Sequence, residues 1–348
     1  MDVGTSPAVS ILVPCRNEAH RIEACLHAAL AQEPLDDGRG VEILVADGMS
    51  DDGTREIVGR IMAEHASVRM IDNPGQIVST GMNAAILAAR GEIIVRMDAH
   101  SVYAADYVRQ CVSALRTTGA DNVGGPQRAQ ARGYMQRAIC AAHHSSFAVG
   151  GSRSHTPDYE GEVDSVIYGC WRKTTLLKAG LFDTELVRNQ DDELSFRLVR
   201  QGGRVWQTPK IRSWYWPRST LRSLARQYLQ YGYWKVRVIQ KHGRPASARH
   251  LVPVGFVAGA CLGWLPGLWF WPCWALYGGL WLLYLSMSLY FACRAAARDG
   301  WDLLPVLPAV FLVYHWAYGS GFAWGIVDFV LLKRGTTSCM RTLTRLSG

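Results

Sequence analysis

The sequence predicts an α/β domain with a mostly parallel central sheet, followed by basic interfacial helices and a C-terminal transmembrane helical region. Three observations carry this reading. Short β-branched apolar runs alternate with helix-length segments in the N-terminal part; residues 200–250 hold twelve Lys and Arg and no Asp or Glu; residues 251–293 hold no charged side chain. At 348 residues the chain exceeds one average domain, so a composition shift of this size marks a boundary within it.

The runs 8–14 (AVSILVP), 41–47 (VEILVAD), 68–72 (VRMID) and 92–98 (EIIVRMD) read as buried strands that end in Pro, Asp or Asn where loops begin. Segments 18–32, 54–65 and 77–89 between them read as helices. Strand, helix, strand at this spacing requires parallel pairing by right-handed crossovers and leaves a nucleotide-sized crevice at the carboxyl ends of the strands. Asn17 and Glu18, then Asp47, then Asp72 and Asn73, and last Asp98 follow the four strands in turn. Asp47 opens DGMSDDGT and reads either as a turn residue before a helix capped by Asp52 or Thr54, or as an acid for a base N–H or ribose hydroxyls.

Neither GxGxxG nor GxxxxGK[ST] occurs, so a phosphate-cradling glycine loop is not how such a crevice holds a diphosphate. A divalent cation on Asp98 is the alternative, because hard cations take carboxylate oxygens. In DAH, alternation at a strand end turns Asp98 and His100 toward one point, and an imidazole tilts the preference from Mg2+ toward Mn2+. About ninety residues on, NQDDEL begins a helix and offers Asp191 as a lone base candidate. Its neighbours Asp192 and Glu193 suit the helix N-terminus. Residues 145–165 are Gly- and Ser-rich and read as a loop over the site or as plain surface.

The basic stretch is interleaved with Trp206, Trp214, Tyr215, Trp216, Tyr228, Tyr231, Tyr233 and Trp234, the mixture a membrane interface favours, and no nucleic-acid-binding motif accompanies the charge. The expected division is a catalytic domain over 1–215, interfacial helices over 216–250, a membrane region over 251–332 and a basic tail over 333–348. Spans are expected at about 251–270, 272–293 and 303–331, the last crossing once or broken into a re-entrant piece at Gly319–Gly321. His315 and Asp328 within it are expected to face protein or water. Basic residues on both sides of the first two spans put the catalytic domain on the cytoplasmic side. The nine cysteines form no CxxC pair and read as reduced thiols, and MDVGTSPAVS has no secretory leader.

The order VSILVPCRNE, VADGMSDDGT, NPGQIVSTGMNAAILAARGEIIVRMDAH and NQDDELSFRL resembles the family 2 inverting glycosyltransferases with a GT-A type fold, over roughly residues 8–235. Within that family, DAH and the tail HWAYGSGFAWG are most similar to the succinoglycan-type glucosyltransferases of bacterial exopolysaccharide assembly. The resemblance implies a Rossmann-like nucleotide-sugar-binding domain with Pro14, Asn17, Glu18, Asp47, Asn73, Asn83 and Asp98 on the donor, and Mn2+ or Mg2+ on Asp98 and His100. It makes Asp191 the catalytic base, with Gln190 where the family usually has Glu. Gly169, Gln230 and Trp234 fall to the acceptor, and in Gln230–Trp234 Tyr233 replaces the Arg of the Q-x-x-R-W element. The activity implied is hexose transfer from a UDP-sugar, glucose by the subfamily likeness, to a polyprenyl-diphosphate-linked saccharide at the bacterial inner membrane. A processive synthase and a non-catalytic nucleotide-sugar sensor are the alternatives, and the oligomeric state stays open.

Overall fold

The structure is a computed structural model, and it describes residues 7–334. The described residues divide into two compact units: one formed by 7–128 together with 153–216, the other by 129–152 together with 217–334.

The first unit is built on the alternation read above. Strands β1 (Val9–Cys15), β2 (Val41–Asp47), β3 (Val68–Asp72) and β4 (Ile93–Arg96) are joined by helices α1 (Ile22–Leu30), α2 (Thr54–Glu64) and α3 (Val78–Ala88). Then come β5 (Ser101–Tyr103), α4 (Tyr107–Thr118), β6 (Asn122–Gly124), β7 (Arg128–Ala129), and, beyond the second unit's helices α5 (Tyr134–His143) and α6 (Ser146–Val149), β8 (Gly161–Glu162) and β9 (Cys170–Arg172). Helices α7 (Lys173–Ala179) and α8 (Gln190–Arg200) and strands β10 (Val205–Gln207) and β11 (Ser213–Tyr215) complete the unit.

The main sheet runs β3-β2-β1-β4-β9-β6-β10-β8, and β5, β11 and β7 form a small second sheet. β1 pairs in parallel with both β2 and β4, so the strand order reverses between β1 and β4, and a crevice opens there at their carboxyl ends. The pleat sends Ile11, Val13, Val45 and Val95 to one face, against Ile22, Leu26, Val58, Ile61, Val108 and Leu115. Leu12, Leu44 and Ile94 go to the other, against Met82, Ile86, Leu176, Leu194 and Leu198. With helices on both faces the strands are buried on both, which is why they read as continuous apolar runs.

In the second unit, α9 (Leu221–His242), α10 (Val252–Leu262), α11 (Pro272–Asp299) and α12 (Leu307–Gly325) are followed by a π-helical turn over Ile326–Leu331. A capping box starts α9: Thr220 accepts the Ser223 amide, and the Ser223 hydroxyl reciprocates. α12 runs unbroken through Gly319–Gly321, so those glycines do not break it. They admit close backbone approach instead. A Cβ on Gly321 would fall on the backbone of Leu229, one on Gly325 on Tyr233, and one on Gly319 on Pro253.

Two helical segments, Ala248–Leu268 and Pro272–Asp299, are long and apolar enough to cross a membrane, and almost none of either is buried. α12 is not among them. His315 bonds the Phe147 carbonyl at 2.7 Å and the Tyr284 hydroxyl at 3.0 Å, and Asp328 accepts from the Tyr233 hydroxyl at 3.0 Å. Both groups thus find protein partners.

Candidate active site

The crevice at the reversal of strand order is centred on a residue that the sequence reading passed over. Arg96, last in β4, is 5% exposed. Its Nε and Nη2 donate to Oδ1 and Oδ2 of Asp98 at 2.6 and 2.8 Å, a two-pronged pair that engages both carboxylate oxygens. Its Nη1 is buried without a hydrogen-bond partner. Burial works against the charge of Arg96, but Asp98, by charge and hydrogen bonding, and Asp191, by charge, hold the guanidinium well above its usual pKa. A charged residue inside the apolar run EIIVRMD was the available signal, because a buried arginine must be paired.

Asp98 lies in the turn after β4. Its amide donates to the Tyr103 hydroxyl at 2.5 Å, its carbonyl accepts the Ser101 amide at 3.2 Å, and Ser101 bonds Tyr168. The strand stops at Arg96, so strand alternation does not govern DAH. The His100 imidazole lies 3.8 Å from Glu18. Among the described residues no group of three His, Cys, Asp or Glu gathers as a cation site. The donor set still fits a Mg2+- or Mn2+-like ion, which takes one or two protein ligands and completes its shell with substrate phosphate. There the ion would share the Asp98 carboxylate with Arg96.

Asp191 enters on the first turn of α8, half-buried, its Oδ1 accepting the Asp192 amide at 3.0 Å. Glu193 is the structural acid of this turn: it is buried and paired with Arg197 at 2.8 Å, which also bonds the Leu181 carbonyl.

The expected donor residues line the strand ends, though several are engaged by the chain itself. Asp47 is fully buried, accepting from Ser50 N and Oγ at 3.1 and 2.5 Å and from Arg55 Nη1 at 2.6 Å. Arg55 also bonds Asp72 at 2.8 Å, joining two strand-end acids, and is a further residue the sequence reading missed. Asn17, at φ 55, holds Ser50 and Asp51 of the next strand's loop, with Pro14 at the end of β1 preceding it. Asn73 bonds Ile77 and Thr80 and shapes the entry to α3.

Three of the residues expected on donor or acceptor are engaged or enclosed by the protein. Asn83 faces the protein, its Nδ2 donating to the Phe182 carbonyl at 2.8 Å and its Oδ1 accepting the Phe182 amide at 2.9 Å. With Ser79, which bonds the Leu186 carbonyl at 2.7 Å, it pins the segment that leads into Asp191. In the second unit Trp234 is fully buried and Gln230 nearly so, because the face of α9 that carries them is packed inward. Neither presents a surface to an acceptor. Gly169 has φ +82 and a neighbouring Trp171 ring that leaves no room for a Cβ, and its carbonyl accepts the Arg96 amide at 3.2 Å.

Comparison with known proteins agrees with this architecture. The family model for Glycosyl transferase family 2 matches residues 10–147. Succinoglycan biosynthesis protein ExoA of Rhizobium meliloti (strain 1021) is 30% identical over 338 residues, covering 93% of this chain and 97% of that protein. The chain belongs to glycosyl transferase family 2. A second relative of this glycosyltransferase, from Methanococcus voltae, is 24% identical over 92% of the chain and 97% of its own length. It is a dolichyl N-acetyl-alpha-D-glucosaminyl phosphate 3-beta-D-2,3-diacetamido-2,3-dideoxy-beta-D-glucuronosyltransferase. Among solved structures, the mannosyltransferase PcManGT from Pyrobaculum calidifontis, in complex with GDP-Man and Mn2+, superposes with a TM-score of 0.57 at 22% identity, over 92% of this chain and 88% of that one. That likeness is one of fold, and the fold of this family 2 enzyme is GT-A-like.

Proposed function

We propose that this glycosyltransferase moves a hexose, glucose from UDP-glucose, onto a polyprenyl-diphosphate-linked glycan at the inner face of the bacterial cytoplasmic membrane, in cell-surface polysaccharide synthesis. One observation carries the reading: where the strand order reverses, the turn after β4 presents Asp98 with both carboxylate oxygens on the buried Arg96, at the place where a family 2 glycosyltransferase would hold its metal and donor diphosphate. The names of the relatives support the substrate classes, a succinoglycan biosynthesis protein pointing to exopolysaccharide and a dolichyl-phosphate-linked substrate to a lipid carrier. The fold neighbour's nucleotide sugar and Mn2+ support the donor class and the cofactor. Two long apolar helical segments, joined by a connection in which Trp269 and Trp271 are 83% and 77% exposed, support a membrane location.

In this mechanism Asp98, with His100 as the second expected ligand, would hold Mn2+ or Mg2+, which would supply positive charge to the departing nucleoside diphosphate. Asp191 takes the proton of the acceptor hydroxyl as that oxygen attacks C1 from the face opposite the leaving group, inverting the anomeric centre. Oδ1 of Asp191 is held by the Asp192 amide, which leaves Oδ2 to receive the proton. Tyr103 and Ser101 fix the Asp98 turn, and Asn83 and Ser79 fix the approach to Asp191.

The test is a panel of nucleotide sugars with Mn2+ and bacterial lipid extract, followed by nucleoside diphosphate release and labelled lipid. Asp191→Asn is expected to keep nucleotide binding and lose transfer by about 10²- to 10⁴-fold, the usual worth of a general base. Near-normal turnover by the folded variant overturns the base assignment.

A further inference from the structure

The Arg96–Asp98 pair sets a conflict at the centre of the site. Both Asp98 oxygens are engaged by one guanidinium, at 2.6 and 2.8 Å, inside a pocket where Arg96 is 5% exposed. A divalent ion needs at least one of those oxygens. Two cations then compete for a single carboxylate, and the resident one is covalently part of the chain. A nucleoside diphosphate relieves the competition twice over: its oxygens complete the shell of the ion, and they give the guanidinium another anion. Arg96 already carries a buried Nη1 without a hydrogen-bond partner. The arginine of the Q-x-x-R-W element does not take the diphosphate role here, since that position is Tyr233, buried and bonded to Asp328.

We propose that Arg96 is a resident counter-cation that occupies Asp98 until donor arrives, so that the divalent ion and the nucleoside diphosphate bind together or hardly at all. In the loaded site the guanidinium turns its donors from Asp98 to the diphosphate. The proposal rests on the reading of Asp98 as the ion and donor site. It makes Arg96 a positioning residue whose effect appears in binding before any turnover. Coupling is reciprocal, so Mn2+ tightens nucleotide binding by the factor by which nucleotide tightens Mn2+.

Mn2+ binding is read by electron paramagnetic resonance of the full-length protein in detergent, with Mn2+ alone and with uridine or guanosine diphosphate present. Wild type is expected to bind Mn2+ weakly alone and much more tightly with its nucleotide. Arg96→Met frees both Asp98 oxygens and is expected to bind Mn2+ alone more tightly by on the order of tenfold or more, within the span of typical site coupling, and to lose most of the nucleotide dependence. Arg96→Lys keeps the buried charge but offers one point donor in place of a fork, and falls between the two. If Arg96→Met does not fold, Arg96→Lys alone decides. Nucleotide binding with Mn2+ in all three proteins, but no gain in affinity for Mn2+ alone in either variant, overturns the role of Arg96 and leaves the donor reading standing. If neither nucleotide binds wild type with Mn2+, the donor reading falls and this inference with it.

Discussion

Asn83 separates two accounts of the site, because the sequence pattern puts it on the donor whereas the structure turns it into a brace for the segment ahead of Asp191. Asn83→Ala removes both of its hydrogen bonds to Phe182, 2.8 and 2.9 Å long. At about 0.5–1.5 kcal/mol net for each bond, the loss comes to about 1–3 kcal/mol of stability. For a unit of this size that is a fall of several degrees in melting temperature, since each kcal/mol moves Tm by about 2–4 °C. The same brace sets where α8 begins, and a shift of about 1 Å in a catalytic group can cost about 10²-fold in rate. The variant is therefore expected to bind nucleoside diphosphate as wild type does while kcat and Tm fall together. Asn83→Asp keeps one of the two bonds, sets a charge against the Phe182 carbonyl, and should be no better than alanine. Isothermal titration with nucleotide, thermal unfolding and steady-state kinetics on the same preparations make the test. Nucleotide affinity weakened by about tenfold, about 1.4 kcal/mol, with wild-type Tm would return Asn83 to the donor and refute the brace.

Two further predictions concern the frame. In Glu42, burial opposes the charge, but the Ser10 hydroxyl, the Arg90 and Gly91 amides and Arg69 outweigh it and hold the carboxyl below its ordinary value. A depressed carboxyl contributes stability that is present above the unfolded value of about 4.3 and is lost as pH falls through the lower folded one. Wild type should thus lose melting temperature below about pH 4 by a component that Glu42→Gln lacks, and parallel pH profiles for the two would remove Glu42 from that account. In the second unit, Gly321→Leu drives a side chain into the Leu229 backbone, whereas Gly279→Leu on α11 enters open space. The first should destabilise by about 1–3 kcal/mol or more and the second should not, as read by thermal unfolding in detergent. Equal stability of the two variants would contradict the close packing of α9 and α12.

The sequence alone determined the strands, the helices between them and the order in which acids follow strand ends, because each of these is written in local periodicity. A strand buried on both faces must be a continuous apolar run, and a helix must repeat its apolar positions within one turn. The uncharged length of the tail likewise decided that two helices could match the thickness of a membrane. Tertiary structure decided which polar groups are available and which are spent. Asp47, Asn73 and Asn83 stand at the positions a donor site would use, yet each is held by groups of the same unit. Trp234 looked like an acceptor platform and is core, since the helix face that carries it was settled by packing. Where His100 sits, beside Glu18, was likewise settled by the turn, because β4 ends two residues before DAH begins. Above all, the brace that leads into Asp191 joins Asn83 to Phe182 and Ser79 to Leu186 across about a hundred residues. Hydrogen-bond partners at that separation are selected by the fold as a whole, and no local pattern in the chain encodes them.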